Sequence, residues 1–325
     1  MPQQIIQEAV AVLRAGEVVG MPTETVYGLA GDARNPSALA RIYAIKQRPE
    51  FDPLILHAAT FEKVFEAVDT FPQKARALAE VFWPGPLTLI LPKKSWVPDL
   101  ATSGLPSVAV RVPAHPVAQT LLRKFDGFLA APSANKFGRI SPTTAGAVRA
   151  ELGGEVPIVL DGGPCSCGIE STIVSFLEPE PRVLRWGALT LEQMEPVIGR
   201  IAFQEKADPR LAPGNIASHY APRTPLKLWQ ETDPVETGLR IGLLALRVRP
   251  MDTPQRVGFA KRFHALRLLS PGGDLEEAAA RFFQALRELD ALGLDGIYAV
   301  PFPEHGLGRA LNDRLCRAAH GTRVP

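Results

Sequence analysis

A chain of 325 residues, 46% hydrophobic and 22% charged, is long enough for about two folded domains, each with its own core. A net charge of +2 excludes a strongly basic nucleic-acid module, because neutralising phosphates takes a stripe of Lys and Arg. No apolar run approaches the roughly 20 residues of a membrane span, and three cysteines behind an amphipathic start argue against a secreted disulfide framework, so a cytoplasmic address is the expectation.

Gln3 to Ala15 reads as an amphipathic helix and Glu17 to Met21 as a short apolar strand stopped by Pro22. Thr23, Thr25 and Tyr27 then lead into what reads as a turn punctuated by Gly28 and Gly31. Asn35 or Ser37 can cap a helix running to about Lys46, because Leu39, Ile42, Tyr43 and Lys46 recur at helical spacing. Lys46 and Arg48 therefore leave the helix end together. Pro53 to His57 predicts a strand, two helical stretches follow, and Leu87 to Leu91 predicts another strand after the Trp83 to Pro86 turn. Ser107 to Val112 alternates, with Arg111 an isolated charge that needs an anion partner. The apolar run Phe128 to Ala131 leads straight into Ser133 and Asn135, which places those polar groups at a strand end, where ligands are usually met.

A helix over Thr143 to Leu152, strands over Ile158 to Leu160, Ser171 to Phe176 and Arg182 to Trp186, and a helix from about Thr190 to Gly199 complete a first domain, residues 1–203. Periodicity then vanishes, and residues 204–225 read as a proline-stiffened linker. Residues 226–325 return to alternation: strands at Leu239 to Leu246 and Gly296 to Val300, and helices at Leu275 to Leu292 and Arg309 to Ala319. They predict a smaller, Rossmann-like parallel α/β domain.

The chain contains no Walker loop and no full Rossmann fingerprint, so a nucleotide site must be built another way. Lys46 and Arg48, one residue apart, can aim at one polyphosphate, although charged helix ends are also common as solvated faces. Ser133 and Asn135 can bond phosphate or ribose, with Ser141 close behind in a turn opening the next helix, and the same residue types also simply build turns. Arg111 is the natural clamp for a substrate carboxylate. Cys165 and Cys167 lack a second ligand pair nearby, so no metal site is expected.

The stretch from Gly20 to His57 with its Lys-x-Arg pair, and the Ser-x-Asn of APSANKFGRISPT, resemble the signature of the YrdC-like family; the later segments resemble its longer, two-domain members. The resemblance implies an N-terminal twisted mixed sheet with flanking helices. It also implies an enzyme that joins L-threonine, bicarbonate and ATP, with Mg2+, into threonylcarbamoyladenylate and pyrophosphate for tRNA modification, in concert with a downstream transferase. Carried over residue by residue, ATP would meet Lys46, Arg48, Asp52, Ser107, Ser133, Asn135, Ser141, Arg185 and Tyr220, with Lys46 and Arg48 in the catalytic role. L-Threonine would meet Thr25, His57, Arg111, Ala131 and Ser171. Asp52 departs from the family's usual asparagine, and Phe137 from a frequent serine. The Gly-rich run from Asp161 to Thr172 and the His219-Tyr220-Ala221-Pro222 segment also resemble family motifs. The rival reading is an RNA-binding module that uses the same cations on backbone phosphates without ATP turnover; the near-neutral charge weighs against it.

Overall fold

Apolar residues at helical spacing, Ile6, Ala9, Val10 and Leu13, bury one face of α1 (Gln3–Arg14). That face packs with the buried side of α6 (Pro116–Phe125) over Val19, Met21, Ala30 and Leu129. The computed structural model describes residues 3–203, 219–230, 232–247, 259 and 261–319. The chain divides into two compact units, Met1–Phe137 with Ser141–Ile216 and Gly138–Ile140 with Ala217–Pro325.

Among the described residues the first unit carries one mixed sheet. In chain order its strands are β1 (Val19–Met21), β2 (Gly28–Asp32), β3 (Ile55–His57), β4 (Leu87–Pro92), β5 (Ser107–Arg111), β6 (Leu129–Ala130), β7 (Ile158–Val159), β8 (Thr172–Ser175), β9 (Arg182–Arg185) and β10 (Ala202–Phe203). Their spatial order is β10-β9-β8-β4-β5-β3-β6-β2-β1-β7. Helices α3 (Phe61–Val64), α5 (Asp99–Thr102) and α7 (Ala145–Leu152) lie in the sheet's connections. The pairs β3/β5, β4/β8, β1/β7 and β9/β10 run parallel and the remaining neighbours antiparallel.

Strand alternation sorts the two faces. Leu56, Leu89, Leu91, Val108, Val110, Val174 and Val183 enter the main core, beneath Leu39 and Ile42 of α2 (Pro36–Lys46), Leu78 of α4 (Gln73–Phe82) and Met194 of α8 (Leu191–Ile198). The other face of the same strands carries a separate apolar floor of Ile55, Ile90, Ala109, Ile173 and Leu184. Ser107, Arg111 and His57 share the parity of that floor.

Several expected bounds move. The turn read at Gly28 and Gly31 is strand β2, because a Cβ on either glycine would come within 3.1 Å of Ala131 or Ile42; these glycines serve close packing, not chain reversal. The strand read from Pro53 starts at Ile55, since the Asp52 and Pro53 carbonyls accept from Arg48. Helix α6 has no counterpart in the sequence reading; His115 caps it, its Nδ1 accepting from Val117 N at 3.2 Å.

Among the described residues the second unit holds four strands, β11 (Leu226–Leu228), β12 (Ile241–Ala245), β13 (Ala265–Leu268) and β14 (Gly296–Ala299), all parallel in the order β11-β14-β12-β13. With α9 (Leu275–Asp290) and α10 (Leu307–Ala319) this is the expected parallel α/β domain; α10 starts two residues before the expected Arg309. Trp229, Ile241, Leu243 and Tyr298 centre its core. Of the linker read over residues 204–225, 204–218 lie outside the described residues. Among the described residues no helix is long and apolar enough to cross a membrane.

Candidate active site

Helix α2 delivers the first group of site residues. Asn35 caps it, its side chain accepting from Ser37 N at 2.9 Å, and Gln47 ends it in the left-handed region at φ 52°. Lys46, the last helical residue, is 1% exposed. Its Nζ donates to the carbonyls of Ser133 at 2.5 Å and Asn135 at 2.6 Å, so the Lys-x-Arg and Ser-x-Asn motifs meet. Beyond Gln47, Arg48 folds back onto its own loop, Nε donating to Asp52 O at 3.0 Å and Nη2 to Pro53 O at 2.8 Å. Nη2 also lies 2.8 Å from Asp52 Oδ1, but off the hydrogen-bonding direction, and among the described residues neither Asp52 carboxylate oxygen accepts a hydrogen bond. Burial, with Arg48 adding to it, holds the Lys46 amine well below its ordinary pKa. Burial raises the Asp52 carboxyl against the opposing pull of Arg48, Lys46 and Arg185.

A second group gathers at the ends of β3 and β5, where His57 and Arg111 are register partners. The Arg111 guanidinium donates from Nε to Gly85 O at 3.2 Å, from Nη1 to Thr25 Oγ1 at 2.8 Å and from Nη2 to Glu24 Oε1 at 2.6 Å. Thr25 is itself fixed by Thr23, whose Oγ1 accepts from the Thr25 and Val26 amides at 3.2 Å. His57 is buried, its Nδ1 3.2 Å from Ile55 O; burial first, and Arg111 second, push its pKa down to about 3, so it is neutral at pH 7. The anion partner that Arg111 requires is therefore Glu24, which the sequence reading passed over. Its signal was a carboxylate among threonines, opposite an isolated strand arginine.

Ser171 and Arg185 form a third group beside Gly85 and Pro86. Thr172 N donates to Pro86 O at 3.0 Å, and Ser171 Oγ lies 2.7 Å from Thr88 Oγ1. Arg185 Nη2 donates to Ser171 O at 2.9 Å and Ser171 Oγ at 3.1 Å. A register shift between Ile173 and Val174 sets Arg185 opposite Ile173 while Val183 stays opposite Val174, which brings Arg185 to the face of the apolar floor. Gly187 permits this approach, because a Cβ there would stand 2.3 Å from the Ser171 carbonyl carbon. Ser141 Oγ donates to Glu170 Oε1 at 2.5 Å, a second carboxylate the sequence reading missed. In the Gly-rich run, Tyr27 Oη donates to Gly163 O at 2.8 Å and accepts from Gly162 N at 3.1 Å.

Ser107 opens β5 on the same parity as Arg111, and Ala131 follows β6, its amide donating to Ile55 O at 3.0 Å. Tyr220 belongs to the second unit, where it is buried at φ 63° against Phe283 and the Arg314 guanidinium. Thirteen of the fourteen sequence-nominated residues thus lie in the first unit, and Tyr220 is the exception. Among the described residues no group of three or more His, Cys, Asp and Glu side chains is arranged to hold a metal.

The first unit, a mixed sheet with flanking helices that carries buried cations, hydroxyls and a neutral histidine, agrees with the YrdC-like resemblance. Residues 11–187 match the model of the family of Sua5, YciO and YrdC, described as telomere recombination, and residues 189–320 match the model described as threonylcarbamoyl-AMP synthase, C-terminal domain. The chain belongs to the threonylcarbamoyl-AMP synthase family. It is 39% identical to the threonylcarbamoyl-AMP synthase of Pyrococcus abyssi over 98% of this chain and 95% of that one. To that of Bacillus subtilis it is 38% identical over 97% and 93%. The crystal structure of P. abyssi Sua5 complexed with L-threonine matches with a TM-score of 0.89 and 36% identity, over 98% of this chain and 95% of that chain.

Proposed function

We propose that the chain is a nucleotidyltransferase that makes L-threonylcarbamoyladenylate and pyrophosphate from L-threonine, bicarbonate and ATP. The product is the activated group that a separate transferase would attach to a tRNA adenosine in the cytoplasm. The observation that carries this reading is two buried clusters in the first unit. Arg111, Thr25 and His57 form the first; Lys46, Arg48 and Arg185, whose charges all act on Asp52, form the second.

In this reading Arg111 takes the threonine carboxylate, with Thr25, neutral His57, Ser171 and Ala131 around the rest of the amino acid. The threonine amine attacks bicarbonate carbon and water leaves, giving a carbamate. A carbamate oxygen then bonds to the α-phosphorus of ATP as the bond from that phosphorus to the bridging β-phosphate oxygen breaks, and pyrophosphate departs. Lys46, Arg48 and Arg185 stabilise the phosphate charge, while Ser107, Ser133, Asn135, Ser141 and Tyr220 contact the nucleotide. The chain's part is alignment and electrostatic stabilisation, which is how phosphoryl-type transfers are mainly accelerated. Magnesium would neutralise phosphate charge. The donor set fits an ion carried on the phosphates of ATP, to which the chain can add the Asp52 carboxylate, whose oxygens accept no hydrogen bond among the described residues.

Near-neutral charge weighs against the RNA-binding reading, and no observation of the structure favours it. Pyrophosphate release from ATP, with bicarbonate and magnesium present, tests the proposal by comparing L-threonine with L-serine, L-valine and no amino acid. Threonine-dependent release with a matching adenylate mass is expected. Release indifferent to the amino acid, or salt-sensitive RNA binding without turnover, would overturn it.

A further inference from the structure

Glu24 is 8% exposed and saturated with partners. Oε1 accepts from Arg111 Nη2 at 2.6 Å, and Oε2 accepts from the amides of Ala114 at 3.0 Å and His115 at 3.3 Å. Its own carbonyl accepts from Cys167 N at 2.7 Å. Burial pushes the carboxyl up, yet Arg111 and the hydrogen bonds outweigh that and hold it below its ordinary pKa, so it is ionised. One carboxylate therefore joins the end of β5 to the entry of α6.

The consequence falls on Arg111. A guanidinium has five N–H groups, and three are committed, to Gly85 O, Thr25 Oγ1 and Glu24 Oε1. Among the described residues this leaves one N–H on each terminal nitrogen that can be offered to a carboxylate. Remove Glu24 and Nη2 loses its anchor. Glu24 also opposes binding, because it cancels the charge that would draw a second carboxylate. The two effects have opposite signs, and the rigid mounting on α6 decides for orientation.

We propose that Glu24 is a positioning residue for amino-acid recognition, holding Arg111 so that its two uncommitted N–H groups receive the substrate carboxylate. The proposal rests on the reading above that Arg111 takes that carboxylate. Calorimetry of L-threonine and of L-threoninamide, which lacks the carboxylate, on the full chain and its Glu24→Gln, Glu24→Ala and Glu24→Asp variants tests it, together with KM for threonine and ATP. Glu24→Gln and Glu24→Ala should weaken L-threonine at least about tenfold. The binding of L-threoninamide and the KM for ATP should stay within about twofold, with Glu24→Asp recovering part of the loss.

A folded Glu24→Gln variant that binds L-threonine as well as wild type or better would reduce Glu24 to a counter-charge. Equal losses for threonine and threoninamide, or a Gln variant that does not fold, would reduce it to a structural role. Wild-type chain that binds L-threonine yet releases no pyrophosphate would sink the reaction reading alone, while the binding comparison still decides Glu24. No threonine binding at all would overturn both.

Discussion

Lys46 and Arg48 are donors without freedom. Both are buried, and their N–H groups are held by carbonyls that belong to the site loops themselves. Donors fixed in advance need no reorganisation when charge develops on a phosphate, and removing one such donor elsewhere costs about 2–4 kcal/mol of transition-state stabilisation. Lys46→Ala should therefore lower kcat/KM for threonine-dependent pyrophosphate release by roughly thirty- to a thousand-fold. Near-wild-type turnover would remove Lys46 from the reaction. His57 makes a different prediction. Its folded pKa of about 3 lies below the ordinary 6.5, so between those values the unfolded chain binds a proton that the folded one refuses. Stability is full above pH 6.5 and falls by up to about 1.4 kcal/mol per pH unit as the pH drops toward 3. In urea melts at pH 7, 6, 5 and 4, His57→Gln should lose stability less steeply than wild type; parallel curves would mean that His57 is charged in the fold.

At the scale of elements, α2 matters because it aims Lys46. Asn35 satisfies the amides of Ser37 and Ala38, and Asn35→Ala should cost about 1 kcal/mol, read as an earlier urea midpoint with an unchanged slope. Both ends of this helix could be read in the sequence, because capping is local chemistry. So could the alternation of β5 that puts Ser107, Ala109 and Arg111 on one face. What could not be read depends on residues far apart in the chain. Gly28 and Gly31 look like turn residues until Ala131 and Ile42 are brought against them. Arg185 reaches the site face only through a register shift between β8 and β9, which no pattern within RVLR encodes. Glu24 and Arg111 are 87 positions apart, and only the pairing of β3 with β5 and the entry to α6 make the pair intelligible.

For the whole molecule, the two units have separate sheets and separate cores, so each has the means to fold by itself. Thr25, His57, Arg111, Ala131 and Ser171, the proposed amino-acid contacts, all belong to the first. A fragment of residues 1–203 keeps the described partners of Arg111, namely Gly85, Thr25 and Glu24. It should melt cooperatively and bind L-threonine within about threefold of the full chain, a difference of less than about 1 kcal/mol. A urea melt and calorimetry of the fragment check both. A fragment that melts cooperatively yet loses L-threonine would show that amino-acid recognition also depends on the second unit; one without a cooperative melt would show that the first unit does not fold by itself.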